Sequence, residues 1–124
     1  MSLESIVQSI VNEGKGIVAA ALMESDGIPI VQVHGRSAAG APLHGDVAPA
    51  GVEFGRILDD VAKAADAIGA GRMNEVVFSL ERLTLVFARV EDDILLVVAI
   101  APDGNLGKAR YLIRRSLMAV RQEL

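Results

Sequence analysis

"LTLVFARVEDDILLVVAIAPDGNLGKARYLIRRS", Leu83–Ser116, decides the fold. Its first eight residues and the block Ile94–Ala101 are rich in Val, Leu, Ile and Ala, too short to span a bilayer and suited to buried strands. The acidic triplet Glu91–Asp92–Asp93 joins them as a hairpin turn. Asp103–Gly104 then turns the chain, and Asn105 can cap a helix by accepting from its first free amides. Leu106, Ala109, Leu112, Ile113, Leu117 and Val120 recur at helical spacing, which predicts a helix over about 106–122.

The glycine-lysine segment at this helix start raises the question of nucleotide binding. A phosphate loop needs G-x-x-x-x-G-K-[ST], with a hydroxyl after the lysine for the metal ion. Here Gly104 and Gly107 are too close together, and Ala109 stands where the hydroxyl is required. The segment reads as a helix start. "GAG" at Gly69–Gly71 lacks the third glycine of a dinucleotide fingerprint and follows a helix instead of a strand. No cofactor is expected.

Working outward, "NEVVFSLE" (residues 74–81) is a third strand, joined to the next by "LER". Three consecutive hairpin-linked strands make an antiparallel meander. Upstream, Leu3, Ile6, Val7, Ile10 and Val11 predict a helix over residues 3–13, capped by Ser2 and stopped at Gly14. "GIVAAALMES" is apolar on both faces, as a central strand would be, and "SDG" turns it into "IPIVQVH". Pro29 cannot donate to a ladder, so that strand belongs at a sheet edge. Residues 35–47, rich in Gly, Ala and Pro, read as a loop, and helical periodicity returns from about Pro49 to Gly69. The order is α-β-β-α-β-β-β-α, an α+β fold with one five-stranded sheet, and residues 1–124 read as a single domain.

Composition narrows the function. Hydrophobic residues make up 52% of the chain, with only three Phe and one Tyr, so the core is aliphatic. A net charge of −4 provides no general cationic field, so neither nucleic acid nor an anionic membrane is an expected partner. No cysteine is present, which excludes disulfides and thiolate metal sites. The N-terminus does not read as a signal peptide, and the expected location is cytoplasmic. His34, His44 and Asp46 lie at a strand end and in a glycine-rich loop, without rigid support for a metal, and read as surface residues. No catalytic constellation emerges, and the chain reads as a non-enzyme.

Two surfaces carry alternative readings. On the last helix, Lys108, Arg110, Arg114, Arg115 and Arg121 oppose only Glu123. They form either a solvated face or a patch, centred on Arg110, Arg114 and Arg115, for an acidic partner. In the middle helix, Phe54, Ile57, Leu58, Val61, Ala65 and Ile68 make a stripe able to cover the sheet. Gly51, Gly55, Ala62 and Ala65 trace a neighbouring stripe of small residues, broken by Leu58. That second stripe either fills a tight helix–sheet contact or lets a second copy approach closely. The third strand, with Val76, Phe78 and Leu80 and no proline, would be an unprotected edge that a two-fold partner could pair with. The dimer set is therefore Gly51, Phe54, Gly55, Leu58, Ala62, Ala65, Val76, Phe78 and Leu80.

The chain resembles the roadblock/dynein light chain family. The strongest pieces are "AAALMESDGIPI" and the opening stretch, above all "NLGKAR" at the final helix start. The resemblance implies strand order 2-1-5-4-3, with two helices on one face and one on the other, and homodimerisation through the middle helix and third strand. It also implies a Ras-like small GTPase as partner, with the chain acting as regulator or scaffold. In the bacterial MglB-type branch, tied to motility and cell polarity, GTP hydrolysis is stimulated without an inserted arginine finger. Other relatives are adaptors that pair with further roadblock chains or with motor and signalling partners.

Overall fold

The two strands of the deciding stretch lie at the heart of the sheet. The computed structural model describes residues 1–36 and 38–124. The elements are α1 (Leu3–Glu13), β1 (Ile17–Glu24), β2 (Pro29–His34), α2 (Ala48–Ala67), β3 (Glu75–Ser79), β4 (Thr84–Glu91), β5 (Ile94–Ile100) and α3 (Leu106–Glu123). All strand pairs are antiparallel, in the order β2-β1-β5-β4-β3. β5 is the central strand, flanked by β1 and β4, which explains why β1 and β5 are apolar on both faces.

Alternation along each strand splits the core into two layers. Ala20, Leu22, Val86, Leu96 and Val98 face α1 and α3, which contribute Ile6, Val7, Ile10, Leu112 and Ile113. Ala19, Ala21, Met23, Phe87 and Val97 face α2, which contributes Ala50 and Leu58. Burying an aliphatic or aromatic side chain of this size stabilises by about 1.5–3 kcal/mol. The α1/α3 layer draws on many such residues. In contrast, α2 buries only Ala50, Gly51 and Leu58.

Local signals account for the element ends. Ser2 Oγ accepts from the Ser5 amide at 3.1 Å, and Asn105 Oδ1 accepts from the Lys108 amide at 2.9 Å. α2 has no side-chain cap and starts with Pro49 in its first turn. Gly69 and Gly71, at φ of 69° and 86°, release the chain after α2 in a backbone region that glycine tolerates. β2 is an edge strand, as Pro29 requires, and a bulge between Leu22 and Met23 irregularises its pairing with β1.

Two expectations need correction. The 35–47 stretch is not plain loop: Ala38–Gly40 and Pro42–Gly45 form 3₁₀ turns, Ala38 is buried, and the Val47 amide donates to Gln32 Oε1. Ser37, within that stretch, lies outside the described residues. β3 is shorter than expected, because the Leu80 amide already closes the hairpin on the Leu83 carbonyl at 3.0 Å. Among the described residues, no helix is long and apolar enough to cross a membrane.

Candidate interaction surfaces

The glycine-lysine segment is occupied by the protein's own groups. The Gly104 amide donates to the Ala101 carbonyl, Asn105 to Lys15, and Lys108 to the Asn105 side chain. A Cβ on Gly104 would lie 2.5 Å from Ile100 Cγ2 and 2.9 Å from the Lys15 carbonyl. This glycine serves a close approach to the α1–β1 loop, and the amides of Gly104, Asn105 and Lys108 are spent on the turn and cap.

The outer edge of β3 is different. The Arg89 amide donates to the Asn74 carbonyl, and Leu80 to Leu83. Pairs alternate in an antiparallel ladder, so Val76 and Phe78 bond inward to β4. The amides and carbonyls of Glu75, Val77 and Ser79 therefore point away from the sheet. Within β3 there is neither proline nor bulge.

Above this edge lies one flank of α2. Pro49, Ala50, Glu53 and Phe54 line a shallow cavity of about 430 Å³ with Leu80, Leu83 and Leu85. Spacings of three and four carry the same flank on through Ile57, Val61, Ala64 and Ile68. Ile57 is 45% exposed, Ile68 81% and Leu80 48%. Phe54 anchors the helix here: its ring centroid lies 4.7 Å from Phe78 and 5.9 Å from Phe87.

Two members of the expected dimer set are turned inward. Gly51 sits against the Met23 thioether and Gly27 Cα, and Leu58 is buried beneath the helix. Phe54, Ala65, Val76 and Phe78 are half-buried, and Ala62 and Leu80 are exposed. Gly55 and Ala62 lie on the flank away from β3, where with Leu58, Ser25, Met73 and Leu95 they border an open cleft of about 540 Å³. The two stripes thus divide differently from the sequence reading. Gly51 and Leu58 meet the sheet, while Ile57 and Ile68, expected to cover it, face outward. Sequence spacing contained both stripes, but the close approach of Gly51 to Gly27, with the burial of Leu58 and the Phe54 ring contacts, fixes how the helix is rotated.

The arginines of α3 are partly engaged. Arg110 Nε donates to Glu75 Oε1 at 2.8 Å, and Arg114 donates to Glu75 Oε2 at 3.2 Å. The hydrogen bond and charge of Arg110, with Arg114 adding to them, hold the Glu75 carboxyl below the usual carboxylate range against the opposing effect of burial. Arg115 donates to Glu13 at 2.7 Å, and that carboxylate raises the Arg115 pKa. Among the described residues, no group of three His, Asp or Glu side chains is placed to hold a metal.

This architecture, a five-stranded antiparallel sheet with α1 and α3 on one face and α2 on the other, is that of a roadblock domain. No family model and no curated protein matches the chain. Among solved structures, MglC from Myxococcus xanthus is similar at 33% identity over 100% of both chains, with a TM-score of 0.69. A Roadblock/LC7 domain from Streptomyces avermitilis matches at 15% identity, covering 98% of this chain and 97% of that one, with a TM-score of 0.79. Gliding protein mglB from Thermus thermophilus matches at 18% identity, covering 99% and 91%, with a TM-score of 0.80. The chain belongs to the roadblock/LC7 family, on the strength of the full-length likeness to MglC.

Proposed function

We propose that the chain is a homodimeric regulator or scaffold of a Ras-like small GTPase, without a catalytic site of its own. The observation that carries the dimer is the coincidence of an unblocked β3 edge with the exposed aliphatic flank of α2. Pairing of two β3 strands about a two-fold axis would satisfy the outward amides of Val77 and Ser79. The same step would bring Ile57, Ile68 and Leu80 of each copy together, with Phe54, Val76 and Phe78 behind them. Ala65 lies further round α2, and Gly55 and Ala62 stay on the opposite flank, outside this contact. The GTPase assignment rests on family membership and on the sequence resemblance to the MglB-type branch. The amides of Gly104, Asn105 and Lys108, bonded within the chain, support it indirectly, because they leave nucleotide binding to the partner.

The test is GTP hydrolysis by a Ras-like GTPase encoded beside this chain, measured with and without it. A regulator changes the rate, and a scaffold co-elutes with the GTPase at unchanged rate. Absence of both effects overturns the proposal.

A second reading drops the GTPase, because the identity pattern lends the MglB-type branch no weight beyond the fold. The likeness to the mglB structure, at 18%, shows the fold alone, whereas the likeness to MglC reaches 33% across the whole chain. On this reading the chain is an adaptor that pairs with a different roadblock chain. Mixing it with such a chain and finding a mixed complex by native mass spectrometry would select it.

A further inference from the structure

The outer face of α3 is used neither by the core nor by the proposed dimer. Tyr111 is 60% exposed and Met118 67%. They are two helical turns apart and share the side opposite Leu112, Ile113, Ser116 and Val120, which are buried. Around them stand the exposed Lys108, Arg114 and Arg115. The Arg115 guanidinium lies 5.7 Å from the centroid of the Tyr111 ring. Glu75 is shared by Arg110 and Arg114, so two cations there face one anion, and Arg115 is paired with Glu13 at the α1 side of the face.

The charge distribution identifies what fits. α3 carries five cations against Glu123, a net +4, in a chain of net −4, so the remainder carries −8. This helix is a cationic strip with two apolar anchors on an otherwise anionic molecule. We infer that the outer face of α3 docks an acidic amphipathic segment of another protein. Its carboxylates would meet Lys108, Arg114 and Arg115, and its apolar side chains would cover Tyr111 and Met118. An anionic bilayer fits less well, because one Tyr and one Met give little to insert and the surplus of −8 elsewhere is repelled. Single-stranded nucleic acid would want a row of aromatic platforms, and Tyr111 stands alone on this helix. α2 and α3 occupy opposite faces of the sheet, so the inference holds with or without the dimer.

The test titrates the full chain against a fluorescein-labelled Glu/Leu helical peptide of about 16 residues, long enough to hold a helical face. Controls are a scrambled peptide of the same composition, a Lys-for-Glu version, and phosphatidylserine vesicles. The expected result is saturable anisotropy for the acidic amphipathic peptide alone, weakening as salt rises. Tyr111→Ala with Met118→Ala should weaken it at least tenfold, and so should Lys108→Glu. No binding, equal binding of the scrambled peptide, full affinity in the double variant, or a preference for vesicles would each overturn the inference. These side chains are exposed, so circular dichroism should stay unchanged. Oligomeric mass, recorded on the same samples, separates a failure here from a failure of the dimer.

Discussion

Glu75 ties the edge strand to α3 with one carboxylate held by two guanidiniums four residues apart. Its side chain is only 13% exposed, whereas Arg110 and Arg114 are 41% and 63% exposed, so solvent screens much of the attraction. Glu75→Gln should therefore destabilise the fold by about 1 kcal/mol at neutral pH. The pH dependence has a definite sign. A carboxyl whose folded pKa is depressed contributes fully above its ordinary value of 4.5 and loses that contribution as pH falls through the lowered folded value. The stability gap between wild type and variant should be full at neutral pH and close as the solution is acidified below 4.5. Urea unfolding at fixed protein concentration measures it; a gap that is constant across that range would show that the ion pair is not its source.

At the scale of elements, one junction sets how α2 lies on the sheet. Gly27, at φ +95°, turns β1 into β2, and a Cβ there would lie 2.9 Å from the Val52 amide nitrogen. Gly51 faces it from the helix, where a Cβ would lie 2.4 Å from Met23 Sδ. Gly27→Ala should cost about 2–3 kcal/mol, since it combines a positive φ with a backbone clash. Gly55→Ala meets only the Ser25 carbonyl at 3.4 Å and removes a helical glycine, so it should be neutral or stabilise by up to about 1 kcal/mol. Thermal melts of the two variants check the contrast; equal losses would mean that α2 does not rest on this junction. The same junction explains what the sequence could reveal. Ser2, Asn105, Pro29 and the acidic turns act on residues within a few positions, so the elements and the sheet edge were readable from local chemistry. The rotation of α2 depends on a contact between residues 27 and 51, and two apolar stripes of similar width gave periodicity no means of choosing between them. The inward position of Gly51 and Leu58 and the exposure of Ile57 and Ile68 follow from that contact.

Across the whole molecule, the two sheet edges differ in kind. β2 is blunted by Pro29 and a bulge, so it offers a poor template. β3 is regular, with the outward amides of Val77 and Ser79 beside a flank of α2 whose Ile68 is 81% exposed. An aliphatic residue so exposed contributes little to the protomer, and Ile68→Asp should change protomer stability by no more than about 0.5 kcal/mol. In the two-fold dimer, the same change places a carboxylate in an apolar contact, a desolvation cost that no neighbour offsets. Ser79→Pro attacks the edge independently, because it removes an outward donor and leaves the inward bonds of Phe78 and Leu80 intact. Both variants should elute at half the wild-type mass in light scattering, with unchanged circular dichroism, and should lose any effect on GTP hydrolysis. Each attacks a different component of the contact, so a wild-type mass in both would mean that neither the β3 edge nor the α2 flank joins the two copies.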